Sequence, residues 1–165
     1  MKAAKVSFLA LAIALAMIFS FVESQIPAFV AVPGVKVGLP NIVVVFLLYK
    51  MGWKQAAVVS LVRVFLVGLL FGSLLSVAYS FAGAILSFLG MVVLKKIPVF
   101  SCVAVSVVGG VLHNVGQIAL ACWVTETAQI VYYLPVLLVS GVIAGVVIGL
   151  ASALIVKRVP LRFER

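Results

Sequence analysis

Polar positions are sparse along this chain and fall between long apolar runs. The first run extends from Val6 to Ile26, and others cover residues 39–50, 55–71, 74–94, 98–123 and 130–156. A helix needs about 20 apolar residues to cross the hydrocarbon of a bilayer. The runs therefore predict an all-α, polytopic membrane protein, a six-helix bundle forming one integral domain over 1–165. The second run is short for a full span. It follows the segment Pro27 to Pro40, PAFVAVPGVKVGLP, where repeated proline and glycine rule out a continuous helix. That segment is expected to be a loop or a re-entrant stretch, and non-helical backbone at membrane depth is tolerated only when buried in protein or lining a cavity.

Composition strengthens this reading. Of the 165 residues, 67% are hydrophobic and 9% charged, against about 45–50% and 25% in a soluble domain. So few charges cannot cover a water-facing surface. The net charge of +9 raises the question of nucleic acid, but the basic residues stand in small groups between apolar runs. That is the pattern of topology signals rather than of a basic groove, so no nucleic-acid partner is expected.

With six spans, Lys2, Lys5, Lys50, Lys54, Lys95, Lys96, Lys157, Arg158, Arg162 and Arg165 all fall on the face of the N-terminus, and only Lys36 falls opposite. Basic residues concentrate on the cytoplasmic side, which predicts a multi-pass protein of the cell membrane with both termini cytoplasmic. A basic start and an apolar run also fit a signal peptide. The run is long, however, and no small-x-small cleavage site follows it, so a retained span is expected.

Against this background a few polar residues stand out. His113, the sole histidine, lies with Asn114 and Gln117 in VVGGVLHNVGQIALACW, residues 107–123. His113 and Gln117 share a helical face, and Asn114 lies about 100° away. Arg63 falls near the middle of the third span and Glu23 near the outer end of the first. Polar side chains inside a membrane are costly and usually face a bundle interior or a ligand. His113, Asn114, Gln117, Arg63, Asn41, Lys36 and Glu23 are therefore the candidate substrate-binding residues, with the 33–41 segment folding over the same end. Internal pairing is the competing reading for each, above all Arg63 with Glu23.

Two sets of small residues bear on helix contacts. Gly141, Gly145 and Gly149 form a repeated GxxxG ladder, and Ala10/Ala14 and Ala12/Ala16 form two small-xxx-small pairs. Both permit close approach of a neighbouring helix, in the same chain or another.

The sequence also excludes chemistry. No GxxxxGK[ST] motif occurs, so a P-loop ATPase is ruled out. The single histidine and Cys102 and Cys122 give no zinc-site spacing, and the two cysteines would lie about 30 Å apart on one helix. The acids are Glu23, Glu126 and Glu164, with no carboxylate cluster of the kind that holds Mg²⁺ against a diphosphate. No catalytic residue, metal or cofactor is predicted. The residues alone predict a membrane-embedded protein that binds a small molecule.

The runs PGVKVGLPNIVVVFLLYKMG, RVFLVGLLFGSLLSVAYSFAGAILS, HNVGQ and YYLPVLLVSGVIAGVVIGL resemble the Gx transporter family, also known as heptaprenyl diphosphate synthase component I. Pro40 stands where that family usually has alanine in Gly-Leu-Ala-Asn-Ile. The family is similar to the substrate-binding S components of energy-coupling-factor transporters. The resemblance implies a six-helix, non-catalytic uptake subunit whose ligand sits near the outer face, beneath the loop joining the first two helices. It further implies that Ala10, Ala14, Ala12 and Ala16 dock on a transmembrane coupling subunit with its ATPases. The second name implies an alternative, a membrane component associated with polyprenyl diphosphate or quinone synthesis; a role in extracellular electron transfer is a further one.

Overall fold

Apolar runs free of internal proline fold as helices, since a backbone in hydrocarbon must satisfy its own polar groups. The computed structural model describes residues 2–25, 37–71 and 73–160. They form α1 (Lys2–Gln25), α2 (Asn41–Lys50), α3 (Trp53–Phe71), α4 (Leu74–Lys95), α5 (Cys102–Thr125) and α6 (Leu134–Arg158), with a 3₁₀ turn at Ala128–Tyr133 before α6. No strand occurs among the described residues. The outward faces carry exposed apolar side chains, including Leu11, Phe65, Leu89, Val139 and Ile143, as expected of a bundle solvated by lipid.

Caps set the helix boundaries where hydropathy alone misplaces them. The fifth helix starts at Cys102 rather than at Pro98, because the Ser101 side chain accepts from the Ala104 backbone N–H at 3.2 Å. Ser73 does the same for α4 through Ser76, also at 3.2 Å. Each hydroxyl satisfies an N–H that has no partner within the helix. Gly52, at φ +97°, makes the turn from α2 to α3, a conformation in which a side chain would be strained.

Among the described residues five helices are long and apolar enough to cross a membrane, and α2 is not one of them. Its ten residues span about 15 Å, half of a bilayer's hydrocarbon. The expected span at 39–50 is thus a short internal helix; residues 26–36, which precede it, lie outside the described residues. Val43–Leu48 are all buried, because α2 packs against α1, α3 and α6 at once. A helix that is apolar all round belongs in such a place. Its last turn is held by Lys95 of α4, whose Nζ donates to the Leu48 carbonyl and lies 5.1 Å from the centre of the Tyr49 ring. A cation at a helix C-terminus is favoured by the helix dipole.

Glycine brings the last three helices together. A Cβ on Gly110 would lie 2.5 Å from the Gly141 carbonyl oxygen, one on Gly145 2.5 Å from Val107 Cα, and one on Gly149 2.7 Å from Val103 Cα. Backbones of α5 and α6 therefore touch in antiparallel register, and the GxxxG ladder is consumed within the chain. On the other side of α5, a Cβ at Gly116 would lie 2.7 Å from the Ala82 carbonyl oxygen of α4. Close backbone approach of this kind maximises van der Waals contact where lipid supplies no hydrophobic drive.

The alanines of α1 separate into two faces. Ala12 and Ala16 are buried, at 7% and 0% exposure, and belong to the core with α2. Ala10 and Ala14 are exposed. The expectation that all four form one docking surface is corrected accordingly, since residues 12 and 16 already contact their own bundle.

Antiparallel packing gathers the lysines. With the Gln55 amide nitrogen donating to the Met51 carbonyl (2.7 Å), its oxygen accepts from Lys5 Nζ at 3.0 Å. Lys50, Lys54, Lys95 and Lys96 flank the same end, as do Lys157 and Arg158 in the last turn of α6. The C-terminal end of α1 and the starts of α2, α4 and α6 lie toward the opposite end.

Candidate functional site

Five of the polar residues singled out by sequence meet in one cleft. It encloses about 60 Å³ and is lined by Glu23, Asn41, Arg63, His113 and Asn114. Every long helix contributes: α1 through Glu23, α3 through Arg63, α4 through Ser80 and Met91, α5 through Ser106, Gly109, Gly110, His113 and Asn114, and α6 through Gly141, Ala144, Gly145 and Ile148. The segment before α2 closes one side with Val37, Gly38 and Pro40. An apolar lining with a few converging polar groups is the composition of small-molecule sites.

The neck is built by backbone. Glu23 Oε1 accepts the Gly38 N–H at 2.6 Å, tying the end of α1 to the residues entering α2. Gly38 has φ +80°, the left-handed region that glycine enters without strain. Its carbonyl then accepts from Asn41 N at 2.9 Å, and Leu39 and Pro40 accept from Ile42 and Val43 at 3.1 and 3.2 Å. Pro40 sits at the N-cap with φ −61° and ψ −24°, a helical geometry in which its missing N–H is harmless. The tight turn places Asn41 at the mouth of the cleft.

Arg63 comes to this mouth from the middle of α3. Its Nη2 donates to Asn41 Oδ1 at 3.5 Å, the weak limit of a hydrogen bond. Its Nε is buried without a hydrogen-bond partner. Among the described residues Arg63 and Glu23 line the cleft together without forming an ion pair. The competing arrangement, an Arg63–Glu23 lock, is therefore not made by direct contact.

The α5 residues divide by face. Asn114 is 7% exposed and donates from Nδ2 to the Leu137 carbonyl of α6 at 2.5 Å. It borders the cleft and also fastens α5 to α6. His113 lines the cleft with its ring beside α4, where a Cβ on Gly83 would lie 3.0 Å from His113 Cε1. Gln117 is not among the lining residues; its Cγ packs toward the same Gly83, 3.0 Å from a Cβ there. It packs in the α4–α5 seam, one helical turn from His113. Lys36 lies outside the described residues.

Ser80, Ser106 and the pair Gly109–Gly110 are cleft residues that the sequence reading did not name. A signal existed for two of them: Ser106 and Gly110 follow a helical repeat of three to four with His113, a small-residue stripe below the histidine.

Chemically, the cleft offers one guanidinium, one carboxylate, an imidazole, two amides and two hydroxyls above an apolar floor of Val45, Met91, Ala144 and Ile148. Among the described residues no three His, Cys, Asp or Glu side chains gather to hold a metal ion. The arrangement can bind and orient a polar molecule with an apolar part.

No curated protein and no solved structure matches the chain. The family described as heptaprenyl diphosphate synthase component I matches residues 12–155. That match runs from within α1 to the last turns of α6 and takes in every cleft residue named above. By this coverage the chain is a member of the heptaprenyl diphosphate synthase component I family.

Proposed function

We propose that this family member is a non-catalytic membrane subunit that binds a small molecule in the cleft, as the substrate-binding component of an energy-coupling-factor-type uptake transporter. The observation that carries the proposal is the convergence of Glu23, Asn41, Arg63 and His113 on one cleft, at the end of the bundle away from the lysines. Basic residues favour the cytoplasmic face, so the cleft opens outward and both termini are cytoplasmic. An outward cleft with no metal-holding carboxylates suits capture rather than diphosphate chemistry.

In this reading the exposed Ala10 and Ala14 give α1 a smooth surface on which a transmembrane coupling subunit docks, bringing its ATPases. The family description favours a second reading, in which the chain is the membrane partner of a soluble prenyl diphosphate synthase. Affinity purification from native membranes separates the two. Recovery of a coupling subunit with ATPases supports uptake, and recovery of a prenyl synthase subunit supports the second reading. Prenyl transfer by the isolated chain would overturn both.

A further inference from the structure

The cleft holds two opposite charges that do not touch. Glu23 is held from its own side by the Gly38 N–H at 2.6 Å, which occupies one carboxylate oxygen. Arg63 is held by Asn41 through a single 3.5 Å contact, although a guanidinium has five donors, and its buried Nε has no partner. In a low-dielectric site opposite charges attract strongly, and charged groups buried in a membrane need partners. Here the two are held by different partners within one cleft.

We propose that the cleft selects two-headed molecules: an acidic group taken by Arg63, an ammonium or other N–H donor taken by Glu23, and an apolar body lying on Val45, Met91 and Ile148. This rests on the reading of the cleft as a small-molecule site and narrows its substrate class. A simple anion meets the Arg63 fork but is repelled by Glu23, and a simple cation meets the reverse. A molecule with both heads satisfies each charge and leaves the cleft neutral. The acid is best placed as a carboxylate or phosphate, whose paired oxygens match the guanidinium fork.

Three probes sharing one phenyl body test this: L-phenylalanine with both heads, hydrocinnamate with the acid alone, and phenethylamine with the amine alone. Each is titrated against the full chain in phosphatidylcholine nanodiscs, with the thermal unfolding midpoint as readout. L-phenylalanine is expected to bind about tenfold more tightly than either one-headed probe, the effect of one charged hydrogen bond. Glu23→Gln retains an acceptor for the Gly38 N–H and should reduce L-phenylalanine to the level of hydrocinnamate. Arg63→Gln should reduce it to the level of phenethylamine. Arg63→Lys, which keeps the charge, should leave it between wild type and Arg63→Gln, and serves in place of the glutamine variant if that chain does not fold. If a one-headed probe binds as well as L-phenylalanine, or Glu23→Gln changes nothing, the two-headed selectivity is refuted while the cleft remains a small-molecule site. If none of the three binds, the selectivity and the small-molecule reading fall together.

Discussion

Replacing Asn114 by alanine should loosen the bundle before it weakens binding. The Asn114 amide is buried and donates to the Leu137 carbonyl across the α5–α6 seam at 2.5 Å. Interhelical hydrogen bonds in membranes average about 0.6 kcal/mol and reach about 1.7, and the small void left by the amide adds to the loss. The carbonyl is not orphaned, because Ser140 Oγ also donates to it at 2.9 Å. A cost of about 1–2 kcal/mol follows, which raises the unfolding equilibrium constant roughly tenfold. In the Asn114→Ala, Ser140→Ala pair the carbonyl loses both side-chain donors, so the two losses are coupled and the double variant should depart from the sum of the singles. Titration with SDS from mixed micelles, followed by far-ultraviolet circular dichroism, measures all three. Unchanged stability in Asn114→Ala, with additive behaviour in the pair, would refute the seam role and leave Asn114 as a cleft residue alone.

Other perturbations test the surrounding architecture. Gly145→Ala places a methyl 2.5 Å from Val107 Cα and should cost about 1–3 kcal/mol by overpacking; a stability equal to wild type in the same titration would mean that the α5–α6 seam can open freely. Ala16→Leu, at a fully buried position, should destabilise the fold by a similar amount, whereas Ala14→Leu, at an exposed one, should leave unfolding unchanged and abolish recovery of a coupling subunit. Equal loss of stability in both variants would place residue 14 in the core. With Cys102 and Cys122 replaced by serine, Glu126→Cys should react with an impermeant maleimide on intact cells and Lys96→Cys should not; the reverse pattern would invert the proposed orientation.

Much of the bundle was legible because lipid imposes simple constraints. Apolar length and basic punctuation located the long helices to within a few residues, and Asn41, Arg63, His113, Asn114 and Glu23 stood out as polar groups in an apolar setting. Three things were not legible. The start of α5 was set by the Ser101 cap, a local hydrogen bond that hydropathy does not register. The α1 alanines looked alike in sequence, and only packing against α2 separated the buried pair from the exposed one. Gln117 shares a helical face with His113, yet one more turn carries it past the cleft and onto Gly83. Spacing reports direction around a helix and says nothing about where a cavity ends.

The proposed function places a small molecule in the cleft among Glu23, Arg63 and His113. Native mass spectrometry of the chain released from nanodiscs, beside the Ala144→Phe variant, tests it most directly. Ala144 lines the cleft on α6 without being one of its charged groups, so phenylalanine there fills the space and leaves the charges in place. A discrete non-lipid adduct is expected on the wild-type chain and is lost from Ala144→Phe while the variant remains folded. An adduct equally abundant on both chains, or none on either, would contradict it.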